Sequence, residues 1–268
     1  MKRSKWDQRI ERAEGLAKAH PFAADVLRFY KSIAGFQRAL YLQFEKANSN
    51  SRPPSAFPQE PDFQLLLSRF PQFLGDIASI TPSQLAFSAT HLKSQLANRW
   101  DDLLASLWRN PSAFRADPGQ SDALLAWIFL QPYAEFLADH AAFREHSESV
   151  AVCPLCSARP QVGVLRQEGD GAKRSLICSL CSTEWTYARL VCPACDEKDV
   201  KKLAVYTAEQ FPHVRVEACD SCHHYIKTVD LTKNGLAVPV VDELATIPLN
   251  LWAQENGYLK LSVNLLGI

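Results

Sequence analysis

Between Phe22 and Phe44 the apolar residues advance in steps of three and four. Phe22, Val26, Phe29, Tyr30, Ile33, Phe36, Leu40, Tyr41 and Phe44 thus mark one face of a long α-helix. The proline-rich stretch Ser51–Pro61 ends that pattern and reads as a loop. Thr81-Pro82 is an N-cap and first-turn signature, and Leu85, Leu92, Leu96, Trp100, Leu103 and Leu107 behind it predict a further helix. A third helix is expected from Ser121, with Leu124, Leu125, Trp127, Ile128, Phe129, Leu130, Tyr133, Phe136 and Leu137 spread round its whole circumference. A helix apolar on all sides belongs in the middle of a bundle, and Pro132 inside it predicts a kink.

Beyond residue 150 the period changes from helical to alternating. Val162, Val164 and Leu176-Ile177 flank the polar turn Glu168-Gly169-Asp170-Gly171, which predicts a β-hairpin. A second hairpin is expected where Leu203, Val205 and Tyr206 precede Pro212, followed by Val214 and Val216. Near the end, Val241–Asn256 suggests a helix containing Ala245, Leu249 and Trp252, within which Pro248 sits or which it splits. The run from Leu259 to Ile268 is apolar enough that it should pack back on the bundle, or between bundle and hairpins.

Cysteine usage decides what these hairpins are for. All eight cysteines fall in four Cys-x-x-Cys pairs: Cys153/Cys156, Cys178/Cys181, Cys192/Cys195 and Cys219/Cys222. One such turn presents two sulfurs to a metal ion, and two turns complete a tetrahedral tetrathiolate shell. Val152-Cys153-Pro154-Leu155-Cys156 returns as Val191-Cys192-Pro193-Ala194-Cys195, so the region is an internal repeat of two modules. A hairpin brings the pairs at its two ends together. One site is therefore Cys153, Cys156, Cys178 and Cys181, and the other is Cys192, Cys195, Cys219 and Cys222; a cross-braced pairing is the alternative. Four thiolates suit zinc and equally a mononuclear iron of the rubredoxin type. Modules of about 40 residues are too small for a self-sufficient core, so metal affinity is expected to appear as folding free energy.

Other chemistry is less well supported. A thioredoxin-type dithiol is a poor reading of four tandem pairs, and structural disulfides do not fit a chain whose start lacks a signal-peptide core. No apolar run reaches the length of a membrane span, so a cytoplasmic protein without membrane insertion is expected. The 29 basic and 29 acidic residues are spread so evenly that no segment carries a basic excess, which argues against nucleic acid as a partner. Lys198, Lys201 and Lys202 are interleaved with Asp196, Glu197 and Asp199 and read as a solvated mixed-charge loop. His213, His223 and His224 lie near the cysteines, but four sulfurs already fill each shell. No nucleophile–base motif or phosphate-cradling loop is present, so an enzyme is not expected.

The expected fold is α with a small β part. A helical bundle (residues 1–148) is followed by two tandem rubredoxin-like or zinc-ribbon tetracysteine modules (149–190 and 191–230) and a C-terminal helix and tail (231–268) that packs back on the body. The chain also resembles the formate dehydrogenase accessory protein FdhE family. The likeness rests on Leu27-Arg28-Phe29-Tyr30, the four cysteine motifs, Glu184-Trp185 and His223-His224-Tyr225-Ile226-Lys227. It continues through Asp242-Glu243-Leu244-Ala245, Pro248-Leu249-Asn250-Leu251-Trp252-Ala253 and Asn264-Leu265-Leu266-Gly267. Ser157 and Asp196 stand where a glycine commonly follows the first knuckle of each module. The resemblance implies a cytoplasmic maturation factor that contacts the catalytic subunit of a formate dehydrogenase, binds iron at rubredoxin-type sites and is not itself catalytic. A redox protein cycling its iron and a zinc-ribbon nucleic-acid binder are the alternatives. Glu184-Trp185 and His223-His224 are the residues expected to be exposed for partner contact.

Overall fold

The computed structural model describes residues 4–47, 57–58, 60–81, 83–114, 121–141, 150–264 and 266. Six α-helices come first: α1 (Lys5–Ala19), α2 (Ala24–Ala47), α3 (Phe63–Ala78), α4 (Ser83–Lys93), α5 (Ala97–Arg109) and α6 (Ser121–His140). Ser4 caps α1 by accepting from the Asp7 amide, and Asp62 caps α3 by accepting from Leu65. The helix α2 buries Tyr30, Ile33, Leu40, Tyr41 and Phe44 as the periodicity predicts and Leu27 in addition, whereas Val26, Phe29 and Phe36 are half-buried and Phe22 lies before it and is exposed. As expected, α6 is buried on every side from Leu125 to Leu137. Most of the Ser51–Pro61 loop, and Pro82, lie outside the described residues.

Two expectations need correction here. The single helix expected behind Thr81 is two helices, α4 and α5, broken at Ser94–Leu96. The Trp100 indole donates to the Leu92 carbonyl at 2.7 Å, and the Ser94 hydroxyl donates to His91 at 2.7 Å. The Leu92 carbonyl is thereby engaged by a side chain instead of by the Leu96 amide of a continuous helix. Thr81 does not act as a cap, because its buried hydroxyl has no hydrogen-bond partner. The C-terminal helix is likewise split, into α7 (Pro239–Ala245) and α8 (Ile247–Glu255), as Pro248 allowed. Lys227 fills the break: its ammonium donates to the Glu243 and Thr246 carbonyls at 2.5 and 3.3 Å and pairs with the Glu243 carboxylate at 2.9 Å.

Both predicted hairpins form, and one sheet joins them. β1 (Pro160–Glu168) pairs with β2 (Gly171–Cys178), and β3 (Glu184–Thr186) extends that side. β4 (Leu203–Thr207), β5 (Val214–Cys219) and β6 (His224–Asp230) form the other half, with β7 (Leu259–Lys260) beside β6. The order is β3-β2-β1-β6-β5-β4, so the two halves meet where β1 and β6 run parallel, Gly163 opposite Thr228 and Val164 opposite Val229. A side chain at Gly163 would collide with Thr228.

Apolar packing binds the layers. One cluster runs from the helices through Cys153, Cys156, Cys178, Cys181, Trp185 and Leu261, so the first module shares the core of the helical part. A second cluster packs Val162, Val164, Val214, Val216 and Val229 against Leu249 and Ala253 of α8. The described part of the C-terminal run packs back at Leu261, which is buried, and at Asn264, whose amide donates to Glu243 at 2.9 Å; Leu259 is exposed, and residues 265, 267 and 268 lie outside the described residues.

Gly163→Val is expected to lower stability by about 1–3 kcal/mol by overpacking the β1–β6 seam, read as an earlier thermal transition. Lys227→Met should cost roughly 3 kcal/mol, because it removes one partner of a fully buried ion pair. Glu243 would keep Lys260 as a partner, at 2.5 Å. Chemical denaturation of the two variants checks both values.

Candidate metal centres

Each Cys-x-x-Cys pair is a tight turn that reverses the chain. In the first, the Ser157 amide donates to the Cys153 carbonyl at 2.9 Å and the Cys153 amide donates to Ala158 at 2.8 Å. The third repeats this closely: Asp196 donates to Cys192 at 3.0 Å and Cys192 to Glu197 at 2.9 Å. The residue after each second cysteine must take the left-handed conformation to make the reversal. Ser157, Ser182, Asp196 and His223 have φ of 61°, 55°, 60° and 55°. Glycine occupies this region without strain, and a side chain there costs about 1 kcal/mol. Sequence reading picked out Ser157 and Asp196; Ser182 and His223 occupy equivalent positions in the other two turns.

The hairpins carry these turns into two groups. Cys153, Cys156, Cys178 and Cys181 converge in one, and Cys192, Cys195, Cys219 and Cys222 in the other, with all sulfurs of a group within 4.8 Å of one another. The adjacent pairing expected from the repeat is therefore the geometry found, and the cross-braced alternative is not. In the second group Cys192–Cys222 and Cys195–Cys219 are each 3.7 Å apart. In the first, three sulfur pairs lie 3.3–3.5 Å apart. A metal with four bonds to sulfur of about 2.3 Å needs sulfurs roughly 3.8 Å apart, so both groups fit one tetrahedral ion with little adjustment. No cysteine is in a disulfide.

Backbone donors already face the sulfurs. Leu180 and Cys181 amides donate to Cys178 Sγ at 3.3 and 3.4 Å, and Ala194 donates to Cys192 Sγ at 3.3 Å. Such bonds favour the thiolate, the form that binds metal. Burial acts the other way, raising the thiols of Cys156 and Cys178 well above the ordinary value and Cys192 to about 11. Several thiolates cannot share so dry a space without a cation, and a divalent ion supplies that charge.

The two centres differ in surroundings. The first is fully buried, and the helices hold it from behind: Gln131 Nε2 donates to the Ser179 carbonyl at 2.7 Å. Ser182 Oγ donates to Glu135 at 2.8 Å, while Arg9 donates to that carboxylate at 2.8 Å and to Ser182 Oγ at 3.1 Å. The second centre has Cys195 exposed and Cys222 half-buried. Around it, Lys198–Asp196 and Lys202–Glu197 pair at 3.2 and 3.8 Å, the mixed-charge loop expected from sequence.

One set of contact candidates is corrected. Trp185 is buried and its indole donates to the Val150 carbonyl at 2.8 Å, so it belongs to the core beside the first centre. Glu184 is held by the Arg166 guanidinium, at 2.7 Å through both oxygens. A lone tryptophan after a cysteine turn looks equally apt for core or surface in sequence, and only the register of β3 on β2 decides it. His223 is exposed; His224 turns back to the Cys222 carbonyl at 2.9 Å; His213 pairs with Asp242 at 2.8 Å.

Helices welded to a sheet that carries two tetracysteine groups define a protein with paired rubredoxin-like or zinc-ribbon modules. Its relatives are specific. Residues 152–189 match the FdhE central domain and residues 177–266 match the FdhE C-terminal domain. An FdhE homolog of Aquifex aeolicus is 29% identical over 255 residues, covering 92% of this chain and 87% of that protein. One from Edwardsiella ictaluri is 29% identical over 276 residues, covering 97% and 87%. The crystal structure of the FdhE protein from Pseudomonas aeruginosa superposes with a TM-score of 0.72 at 25% identity, over 99% of this chain and 97% of that one. Two segments of the chain thus match FdhE domains, and over nearly its whole length it is similar to FdhE proteins.

Because the first centre lies in the shared core and the second at a surface, the two should respond unequally to damage. Cys153→Ser is expected to disturb the helical part as well as its own module, whereas Cys192→Ser should leave the helical signal near that of the parent. Circular dichroism with metal content measured on the same samples checks this. Equal losses of helical signal in the two variants would contradict it.

Proposed function

We propose that the protein is a cytoplasmic maturation factor that binds the catalytic subunit of a formate dehydrogenase and supports assembly of the active enzyme. Similarity to FdhE proteins carries this reading. The chemistry of the site agrees with it. With four sulfurs, each group offers a metal no open position for a substrate, and a saturated site suits holding a shape or exchanging an electron better than Lewis-acid catalysis. Among the described residues no helix is long and apolar enough to cross a membrane.

Cys153, Cys156, Cys178 and Cys181 would hold one metal ion, and Cys192, Cys195, Cys219 and Cys222 the other. Iron is the proposed metal, with zinc the alternative that the same donor set accepts. Bound iron would supply a one-electron couple; zinc would supply only structure. The second centre is the one whose exposure supports electron exchange with a partner, since Cys195 reaches solvent.

Two measurements test the proposal. Purified full-length chain should retain a formate dehydrogenase catalytic subunit in a pull-down, and cells lacking the protein should lose formate dehydrogenase activity. Failure of both would overturn it. Protein made at native levels should contain about two iron atoms per chain, giving the red ferric tetrathiolate spectrum when oxidised; zinc at full occupancy without iron would establish the structural alternative.

A further inference from the structure

Beside the second centre, the sheet face above β4, β5 and β6 is not fully covered. A pocket of about 150 Å³ opens there, lined by Leu190, Val205, Arg174, Arg189, Arg215 and Glu217 among others. An apolar cavity of that size holds one ring or one branched side chain. At its rim Leu190 and Val205 are 59% and 54% exposed, and Val200, just before β4, is 57% exposed. Exposed apolar side chains grouped round a pocket mark a contact surface more often than scattered ones do.

The edge and the charge of this place narrow what fits. β4 ends the sheet order, so among the described residues no strand pairs with its outer edge. Backbone groups along that edge are a template for an added strand. At the pocket, Arg174 and Arg215 share the Glu217 carboxylate, Arg189 stands at the rim, and Cys192 and Cys219 of the second centre also line it. Glu217 takes Arg174 at 2.7 Å on one oxygen and Arg215 at 2.5 Å on the other. Arg174 is 1% exposed, and its buried Nε has no hydrogen-bond partner. Arg189 is exposed. An apolar pocket with the exposed Arg189 guanidinium at its rim, beside a free edge, suits a carboxylate-bearing apolar strand.

We infer that the β4 edge and its pocket form a docking groove for an extended segment of a partner protein that carries an apolar side chain and a carboxylate two residues apart. Side chains two residues apart on a strand share a face, so the apolar one enters the pocket while the carboxylate meets Arg189 and Arg215. The inference rests on reading the chain as a factor that binds a client, and it names where that client is held.

The test uses metal-loaded full-length protein and three fluorescein-labelled heptapeptides: Thr-Thr-Leu-Thr-Glu-Thr-Thr, the same peptide with Lys for Glu, and the same peptide with Ser for Leu. Anisotropy at low salt should show the Leu/Glu peptide binding about tenfold more tightly than either analogue. Val205→Asp should weaken that binding about tenfold, and so should Arg189→Glu, which alters only an exposed side chain should the first variant misfold. Metal content and circular dichroism of each variant establish that it is folded. Equal binding of the three peptides, or unchanged binding by both folded variants, overturns the groove. A pull-down with a formate dehydrogenase catalytic subunit separates the two readings. Capture by wild type and equally by both variants overturns the groove as the client contact and leaves the proposed function standing. Absence of capture by wild type, together with unchanged formate dehydrogenase activity in cells lacking the protein, overturns the client reading itself, whatever the peptides do.

Discussion

The buried grip of the helices on the Cys178–Cys181 turn holds the two halves of this protein to one another. Within its fully buried stretch, Leu125–Leu137, the helix α6 carries Gln131 and Glu135, about one helical turn apart. Each uses its polar group on the turn: Gln131 on the Ser179 carbonyl, Glu135 on the Ser182 hydroxyl and on Arg9 of α1. Burial opposes ionisation of Glu135, but Arg9 and Lys5 outweigh it and keep the group charged below the ordinary carboxylate range. An unpaired carboxylate so placed costs several kcal/mol, so bundle and turn are stable only in this one relative position. Gln37 of α2 donates to Gln131 at 2.8 Å, which extends the same chain of bonds to a third helix.

That grip makes the two tetracysteine groups unequal although their sequences repeat. The first is enclosed by helices and contributes its cysteines to the main core. The second rests on the far half of the sheet, where one cysteine reaches solvent and the neighbouring face keeps an open pocket. Internal repetition thus supplies two copies of one local structure, and tertiary packing assigns them different surroundings. A buried centre is suited to fixing the scaffold, and an accessible one to meeting another molecule.

Much of this was legible in the chain itself. The change from a period of three and four to alternation marks the step from helices to sheet. The Cys-Pro-x-Cys repeat with a turn between knuckles fixes which cysteines meet. What stayed hidden depends on contacts between distant residues. Trp100 breaks α4 from α5 by capturing the Leu92 carbonyl, eight residues back, and no propensity announces that. The helix α3 went unread although Leu66, Phe70, Phe73, Leu74 and Ile77 step by three and four along it; Pro71 in its interior argues locally against a helix. Trp185 reads as a surface residue until the pairing of β3 with β2 turns it inward. Nothing local announces the parallel seam of β1 with β6, which unites modules that look independent in the sequence. The available hint of the helical grip was a pair of polar residues, Gln131 and Glu135, inside the otherwise apolar middle of α6.

The parallel seam also governs the order in which the molecule can be made. Each hairpin closes between near neighbours, which is fast, but β1 and β6 are joined only after the whole second module has intervened. During synthesis β1 therefore has one partner, β2, and an inner edge with open amides and carbonyls until β6 emerges. The helices α1 to α6 and the first cysteine group have all emerged by then. The last part of the chain to settle is the surface-facing half, together with the short β7 that pairs beside β6 and the tail that returns to Glu243.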